Sequence, residues 1–235
     1  DLVPCFGDCF QSSCSGICAT YCTLSMIELR DVCKQFGTTQ VLININASFD
    51  DGKIHSLIER NGSGKTVLLK CICGLIRPTS GPIVISGKQI GKDIEMPESF
   101  AALIENPGFL PNYSGEANLS FLISVNTPVV REKNRQVLRQ VGLKNDRKKH
   151  VGKYSLGMRQ KLGIAQVIME DPMLMIFDEP MNGLDNKSVS ETRELFKQLR
   201  DRKRTILLAS HNAQDIDELC DSVYEIDAGR MTQIR

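Results

Sequence analysis

The chain has 235 residues, enough to bury a full core in one or two domains. Charged residues make up 24% and the formal net charge is +1, a balance without the footprint of a nucleic-acid or membrane-surface binder. No stretch approaches the roughly 18 apolar residues of a membrane-spanning helix, so a membrane role has to come through a partner subunit.

Residues 1–25 differ from the rest. Five of the nine cysteines (Cys5, Cys9, Cys14, Cys18, Cys22) crowd this segment. Their spacing lacks the C-x2-C knuckle of common zinc sites, and no basic region followed by an apolar run marks a secretory signal. Three readings stay open: non-native sequence upstream of a start at Met26, a disordered or disulfide-prone appendage, and a metal site or fused peptide. Cys33, Cys71, Cys73 and Cys220 read as small core hydrophobes in a reducing compartment.

From Met26 the pattern is orderly, and one domain is expected over 26–235. Met26–Val32 alternates as a half-buried strand, and Phe36-Gly37 with Thr38-Thr39 marks a turn. Val41–Phe49 alternates again, and Asp51-Gly52 closes it with a hairpin signal. Lys53–Ile58 leads as a strand into Asn61-Gly62-Ser63-Gly64-Lys65-Thr66, and the helical run that opens at Val67 stops at Gly74. Alone, this stretch also fits an ordinary turn. Read as a phosphate loop, its backbone N–H groups form an anion nest at a helix N-terminus. Lys65 then reaches the β- and γ-phosphates, and the Thr66 hydroxyl is placed for Mg²⁺.

A strand at Ile83–Ser86 follows. Residues from about 97 to 155 form a small helical insertion, with Leu119, Leu122 and Ile123 on one helical face and Val137, Leu138 and Val141 on another. The final third alternates helix 155–169, strand Leu174–Phe177, helix 187–200, strand Ile206–Ala209, helix 213–220 and strand Val223–Ile226, which implies parallel strands with crossover helices. The apolar run Met173–Phe177 suits a strand buried on both faces and ends in Asp178-Glu179-Pro180, where ligands bind in open α/β sheets. Asp178 can hold Mg²⁺ and Glu179 can orient or deprotonate water. Ser155 is a natural N-cap of the next helix, and Gly157 lets a backbone approach closely.

The order of phosphate loop, helical insertion, Ser155-Leu156-Gly157-Met158-Arg159-Gln160, Asp178-Glu179, Asn182-Gly183-Leu184-Asp185 and lone His211 resembles the nucleotide-binding subunit of an ABC transporter, over essentially all of 26–235. The resemblance implies an α/β fold, a P-loop NTPase RecA-like core with an antiparallel β subdomain and a helical insertion. It implies an ATPase with ATP and Mg²⁺ as cofactors. Phe36 stacks on adenine; Asn61, Gly62, Ser63, Gly64, Lys65, Thr66 and Val67 bind the nucleotide. Ser155 and Gly157 contact the γ-phosphate held by an opposite subunit, and Asp185 bridges the two. Thr66, Asp178 and Glu105 form the metal set, and Glu179, His211 and Lys65 the catalytic set. For His211, a satisfied strand-end histidine is the plain alternative. The partners implied are a second ATP-binding subunit, in a homodimer or heterodimer, and an integral membrane permease, with no nucleic acid. The protein is then cytoplasmic, peripheral on the inner face of the cell membrane.

Glu105 stands where this family usually has glutamine. Together with Tyr154-Ser155-Leu156-Gly157-Met158 it is similar to subunits that export or expel lantibiotics and bacitracin-type peptides. Ser56 and Glu59 hold positions usually occupied by glycine. A β-carbon there costs about 1–2 kcal/mol if the backbone is left-handed, and a carboxylate near a triphosphate adds like-charge repulsion. Two alternatives follow: a catalytically impaired subunit acting in binding or regulation, and a non-transport ABC ATPase.

Overall fold

The computed structural model describes residues 25–59, 64–105, 108–126 and 131–235. The cysteine-rich residues 1–24 and the phosphate-loop residues Asn61, Gly62 and Ser63 lie outside them, as do the side chains of 123–126 and Ile123 with them.

The elements run β1 (Ser25–Phe36), β2 (Thr39–Asp50), β3 (Ile54–Glu59), α1 (Lys65–Ile72), β4 (Ile83–Ile85), β5 (Lys88–Gln89), β6 (Phe100–Leu103), α2 (Gly115–Asn126), α3 (Arg131–Gln140), α4 (Leu156–Ile168), β7 (Leu174–Asp178), α5 (Asn186–Asp201), β8 (Thr205–Ala209), α6 (Ala213–Leu219), β9 (Ser222–Asp227) and β10 (Arg230–Gln233). They build two sheets. A four-stranded antiparallel sheet has the order β2-β1-β4-β5, and a six-stranded sheet has the order β10-β9-β3-β8-β7-β6. In the larger sheet β9, β3, β8, β7 and β6 are parallel, and β10 returns antiparallel along β9.

β7 and β8 are apolar along most of their length because helices or the second sheet cover both of their faces. Side-chain alternation divides them between two cores. Met175 and Phe177 of β7, with Ile206 and Leu208 of β8, join α4 and α5 in one. Leu174, Ile176, Leu207 and Ala209 point the other way, toward α1 and the antiparallel sheet. Phe177 stacks on Phe196 of α5 with ring centroids 4.7 Å apart, which fixes that helix over the end of β7.

Several expectations change. The Asp51-Gly52 turn closes no hairpin: β2 pairs with β1, and β3 belongs to the other sheet. The turn is instead pinned to β8, where Thr205 Oγ1 donates to Asp51 Oδ1 at 2.8 Å and accepts from Gly52 N–H at 2.9 Å. β6 sits inside the stretch read as helical, pairing with β7 as the edge of the parallel sheet. Leu119 is buried, whereas Leu122, expected on the same buried face, is exposed beside a surface cleft. Val137, Leu138 and Val141 are all buried. Ser56 and Glu59 lie in extended β3, and neither is left-handed, so the backbone strain foreseen at those positions does not arise.

Candidate functional site

The C-terminal ends of β3, β7 and β8 bring α1, the Asp178-Glu179 turn and His211 together. Gly64 opens α1 with φ of 104°, and a β-carbon there would stand 3.0 Å from both Val41 Cγ1 and the Val41 carbonyl oxygen. Only glycine suits that backbone and that approach to β2. Lys65, the first residue of the helix, is buried, and its ammonium lies 3.3 Å from Asp178 Oδ1 and 3.1 Å from Glu179 Oε1. Burial opposes its charge, but the two carboxylates outweigh burial and raise its pKa. Thr66 Oγ1 donates to Asp178 Oδ2 at 3.3 Å.

Glu179 is the hub. Its Oε2 lies 2.9 Å from His211 Nδ1. Its backbone is left-handed at φ of 50°, a conformation costing a non-glycine residue on the order of 1 kcal/mol. The turn is held there from both sides: Glu179 N–H donates to the Ala209 carbonyl at 2.9 Å, and Gln160 Nε2 donates to the Glu179 carbonyl at 3.1 Å. Gln160 closes the serine-glycine signature at the start of α4, but nothing in its spacing says that its amide reaches the end of β7. His211 is exposed, and its loop is tied down: Asn212 N–H donates to Ser210 Oγ, whose hydroxyl donates to buried Asp215.

A divalent cation fits this donor set. Asp178 Oδ1 is buried with no hydrogen-bond partner, although Lys65 stands 3.3 Å away, and the Thr66 hydroxyl shares the other oxygen. Hydroxyl and carboxylate oxygens are what Mg²⁺ prefers. Glu105, assigned to the same metal set from the sequence, is not brought to it. Its side chain is mostly exposed and pairs with Lys70 Nζ at 2.7 Å. The lysine one turn into the helix competes for that carboxylate.

Ser155, Gly157 and Asp185 belong to a second group, where two turns meet. Ser155 caps α4, its Oγ accepting from Met158 N–H at 3.2 Å, and Leu156 beside it is exposed. A β-carbon on Gly157 would stand 2.6 Å from the Gly183 carbonyl oxygen, so the close approach foreseen at Gly157 is made by the Asn182–Asp185 turn. Asp185 caps α5 through Ser188 N–H at 2.8 Å, and that bond lowers its pKa. Phe36 ends β1 as an exposed ring with Lys34 Nζ 4.8 Å from its centroid. Val67 is half-buried and packs on the core.

Glu59 makes a contact of its own. Its Oε1 accepts from Gly64 N–H at 3.0 Å and Lys65 N–H at 3.4 Å, taking two of the free donors at the start of α1.

A family model described as ABC transporter matches residues 42–182. The chain is 41% identical over 206 residues to YybJ of Bacillus subtilis, an uncharacterized ABC transporter ATP-binding protein, covering 88% of this chain and 94% of that one. It is 38% identical to the bacitracin transport ATP-binding protein BcrA of Bacillus licheniformis, covering 89% and 69% of the two chains. It is 32% identical to the lantibiotic transport ATP-binding protein SrtF of Streptococcus pyogenes, covering 88% and 89%. Among solved structures, an ATP-binding subunit of an ABC transporter superposes with a TM-score of 0.78 at 26% identity, over 89% of this chain and 90% of that one. A bacterial ABC transporter cassette solved as a dimer gives a TM-score of 0.80 at 20% identity, over 89% and 99%, a likeness of fold alone.

Proposed function

The chain belongs to the ABC transporter family, as one of its ATP-binding subunits, and from that premise we propose that it hydrolyses ATP to drive a membrane permease that exports or expels an antimicrobial peptide. The observation that carries the catalytic part is the convergence of Lys65, Thr66, Asp178, Glu179 and His211, from three separate segments, into one chain of contacts in which no link is longer than 3.3 Å.

Lys65 serves the β- and γ-phosphates once its ammonium turns from the carboxylates to the nucleotide. Thr66 and Asp178 would hold Mg²⁺, which when bound neutralises charge on the phosphate oxygens. Glu179 takes the proton of the attacking water, the bond from the γ-phosphorus to the bridging oxygen breaks, and ADP and phosphate leave. His211 orients the Glu179 carboxylate and reads the γ-phosphate. Phe36 offers a ring to the adenine.

Members of this family form dimers and work with membrane permeases. Here the exposed Ser155-Leu156-Gly157 turn supports a head-to-tail pair in which each signature closes the partner's nucleotide site, with Asp185 at the seam. A second ATP-binding subunit of this kind, identical or related, completes catalysis. A cleft of about 340 Å³, with Ile104 (next to Glu105 in the chain), Phe121 and Leu122 in its wall, supports the contact with the permease. No helix among the described residues is long and apolar enough to cross a membrane; the place proposed for the subunit, on the permease at the cytoplasmic face, follows from the family reading. The peptide reading rests on the similarity to the bacitracin and lantibiotic transport proteins.

The test is phosphate release from Mg-ATP by the purified chain beside Glu179→Gln, together with peptide-antibiotic susceptibility of cells that express the chain with its permease. Turnover lost in Glu179→Gln and resistance lost with it are the expected results. Turnover equal in parent and variant rejects the assignment of the base, and unchanged susceptibility to bacitracin and lantibiotics rejects the peptide substrate.

A further inference from the structure

At the end of β3, Glu59 faces the start of α1 across the phosphate loop. α1 has no acidic residue in its first turn, and Gly64 at its N-cap has no side chain to offer. The positive end of the helix and its free N–H groups are therefore served from outside, by Glu59 Oε1 at 3.0 Å from Gly64 N and 3.4 Å from Lys65 N. The Lys65 ammonium is likewise held by this chain's own carboxylates, Asp178 and Glu179. The Gly64 and Lys65 N–H groups and the Lys65 ammonium thus each already have an anionic oxygen on them.

A carboxylate oxygen and a phosphate oxygen are alternatives for the same N–H groups. We propose that Glu59 is an affinity-setting residue, a resident carboxylate that competes with the nucleotide's phosphates for the Gly64 and Lys65 N–H groups. Nucleotide binding is then an exchange of one anion for another. In a phosphate loop these backbone donors serve the inner phosphates, which ATP and ADP share. Glu59 therefore weakens both nucleotides by a similar factor, and its return to the N–H groups helps release ADP after hydrolysis. The inference rests on the ATP-site reading above.

Equilibrium binding of ATP, ADP and inorganic pyrophosphate tests it, with the parent chain beside Glu59→Gln and Glu59→Gly. Glutamine keeps the size and a neutral acceptor, so it reports on charge; glycine removes the competitor. The expected result is at least tenfold tighter binding of both nucleotides and of pyrophosphate in Glu59→Gly, with Glu59→Gln between it and the parent. Without nucleotide, both variants melt below the parent, because α1 has lost its anionic partner. A parent that binds ATP, with Kd values for Glu59→Gln and Glu59→Gly within twofold of it or weaker, overturns the competition and leaves the ATP site standing. Tightening of ATP without ADP or pyrophosphate also overturns it. Absence of ATP binding in all three chains overturns both readings together.

Discussion

His211 Nδ1 lies 2.9 Å from Glu179 Oε2, while Glu179 Oε1 lies 3.1 Å from Lys65 Nζ. One carboxylate thus bridges a histidine at the end of β8 and a lysine at the start of α1. Its own backbone is held left-handed by bonds from β8 and α4. Strain of that kind persists where surrounding structure over-determines it, and here it sets the Glu179 carboxylate between Lys65 and His211.

Glu179→Gln keeps the size and most of the hydrogen bonding but removes the base. Hydrolysis falls by about 10²-fold or more while ATP still binds, and the nucleotide-bound dimer accumulates. Phosphate release and size-exclusion chromatography with ATP check this. His211→Ala lowers kcat by roughly tenfold or more with a smaller effect on ATP affinity, the pattern of an interaction felt mainly in the transition state.

Gly157→Ala forces a methyl group to 2.6 Å from the Gly183 carbonyl. The signature turn and the Asn182–Asp185 turn must part, which costs about 1–3 kcal/mol and displaces both from the proposed dimer seam. Gly108→Ala is the control, since nothing lies within 4 Å of its β-carbon position. Urea unfolding separates the two, with the control within about 0.5 kcal/mol of the parent.

Arg193 donates to Asp215 at 2.6 Å, and both side chains are buried. Asp215 also accepts from Ser210, next to His211. Arg193→Ala leaves a buried carboxylate without its cation and destabilises the fold by about 3–5 kcal/mol. A thermal melt reads that loss, and impaired turnover at temperatures where the variant remains folded reports the looser His211 loop.

His55 is buried against Phe49, with Nε2 on the Asp50 carbonyl at 2.8 Å and Nδ1 on Ser222 Oγ at 2.7 Å. The carbonyl assigns the proton to Nε2, leaving Nδ1 to accept from the serine. Burial lowers the pKa of His55 below the usual 6.5, ahead of the raising effect of Asp50. The folded state resists protonation more than the unfolded chain does, so this contribution to stability is fully present above about pH 6.5 and declines as the pH falls. Urea titrations at pH 7.5 and 5.5 show the loss, and His55→Asn, though less stable, shows a smaller difference between the two.

Much of this was legible in the residues themselves. Period-two and period-3.6 patterns placed the long strands and helices, because each such element must bury one face, or both for β7 and β8. The glycines and the serine cap were legible for a local reason too: left-handed backbone and helix N-termini depend on immediate neighbours. Short β5, β6 and β10 were not, since two to four residues carry too little pattern and owe their form to the strands beside them.

The sequence by itself determined which chemistry the chain carries: a phosphate loop, an acidic pair, a serine-glycine signature and a lone histidine in a family-specific order. Only the tertiary structure decided which groups share an oxygen. It put Glu179 between Lys65 and His211, gave Glu105 to Lys70 instead of the metal group, sent Gln160 to the acidic turn, and laid Glu59 on the first N–H groups of α1. Pairings of that kind span up to 114 positions along the chain. They are set by how strands stack side by side in a sheet, which no local pattern records.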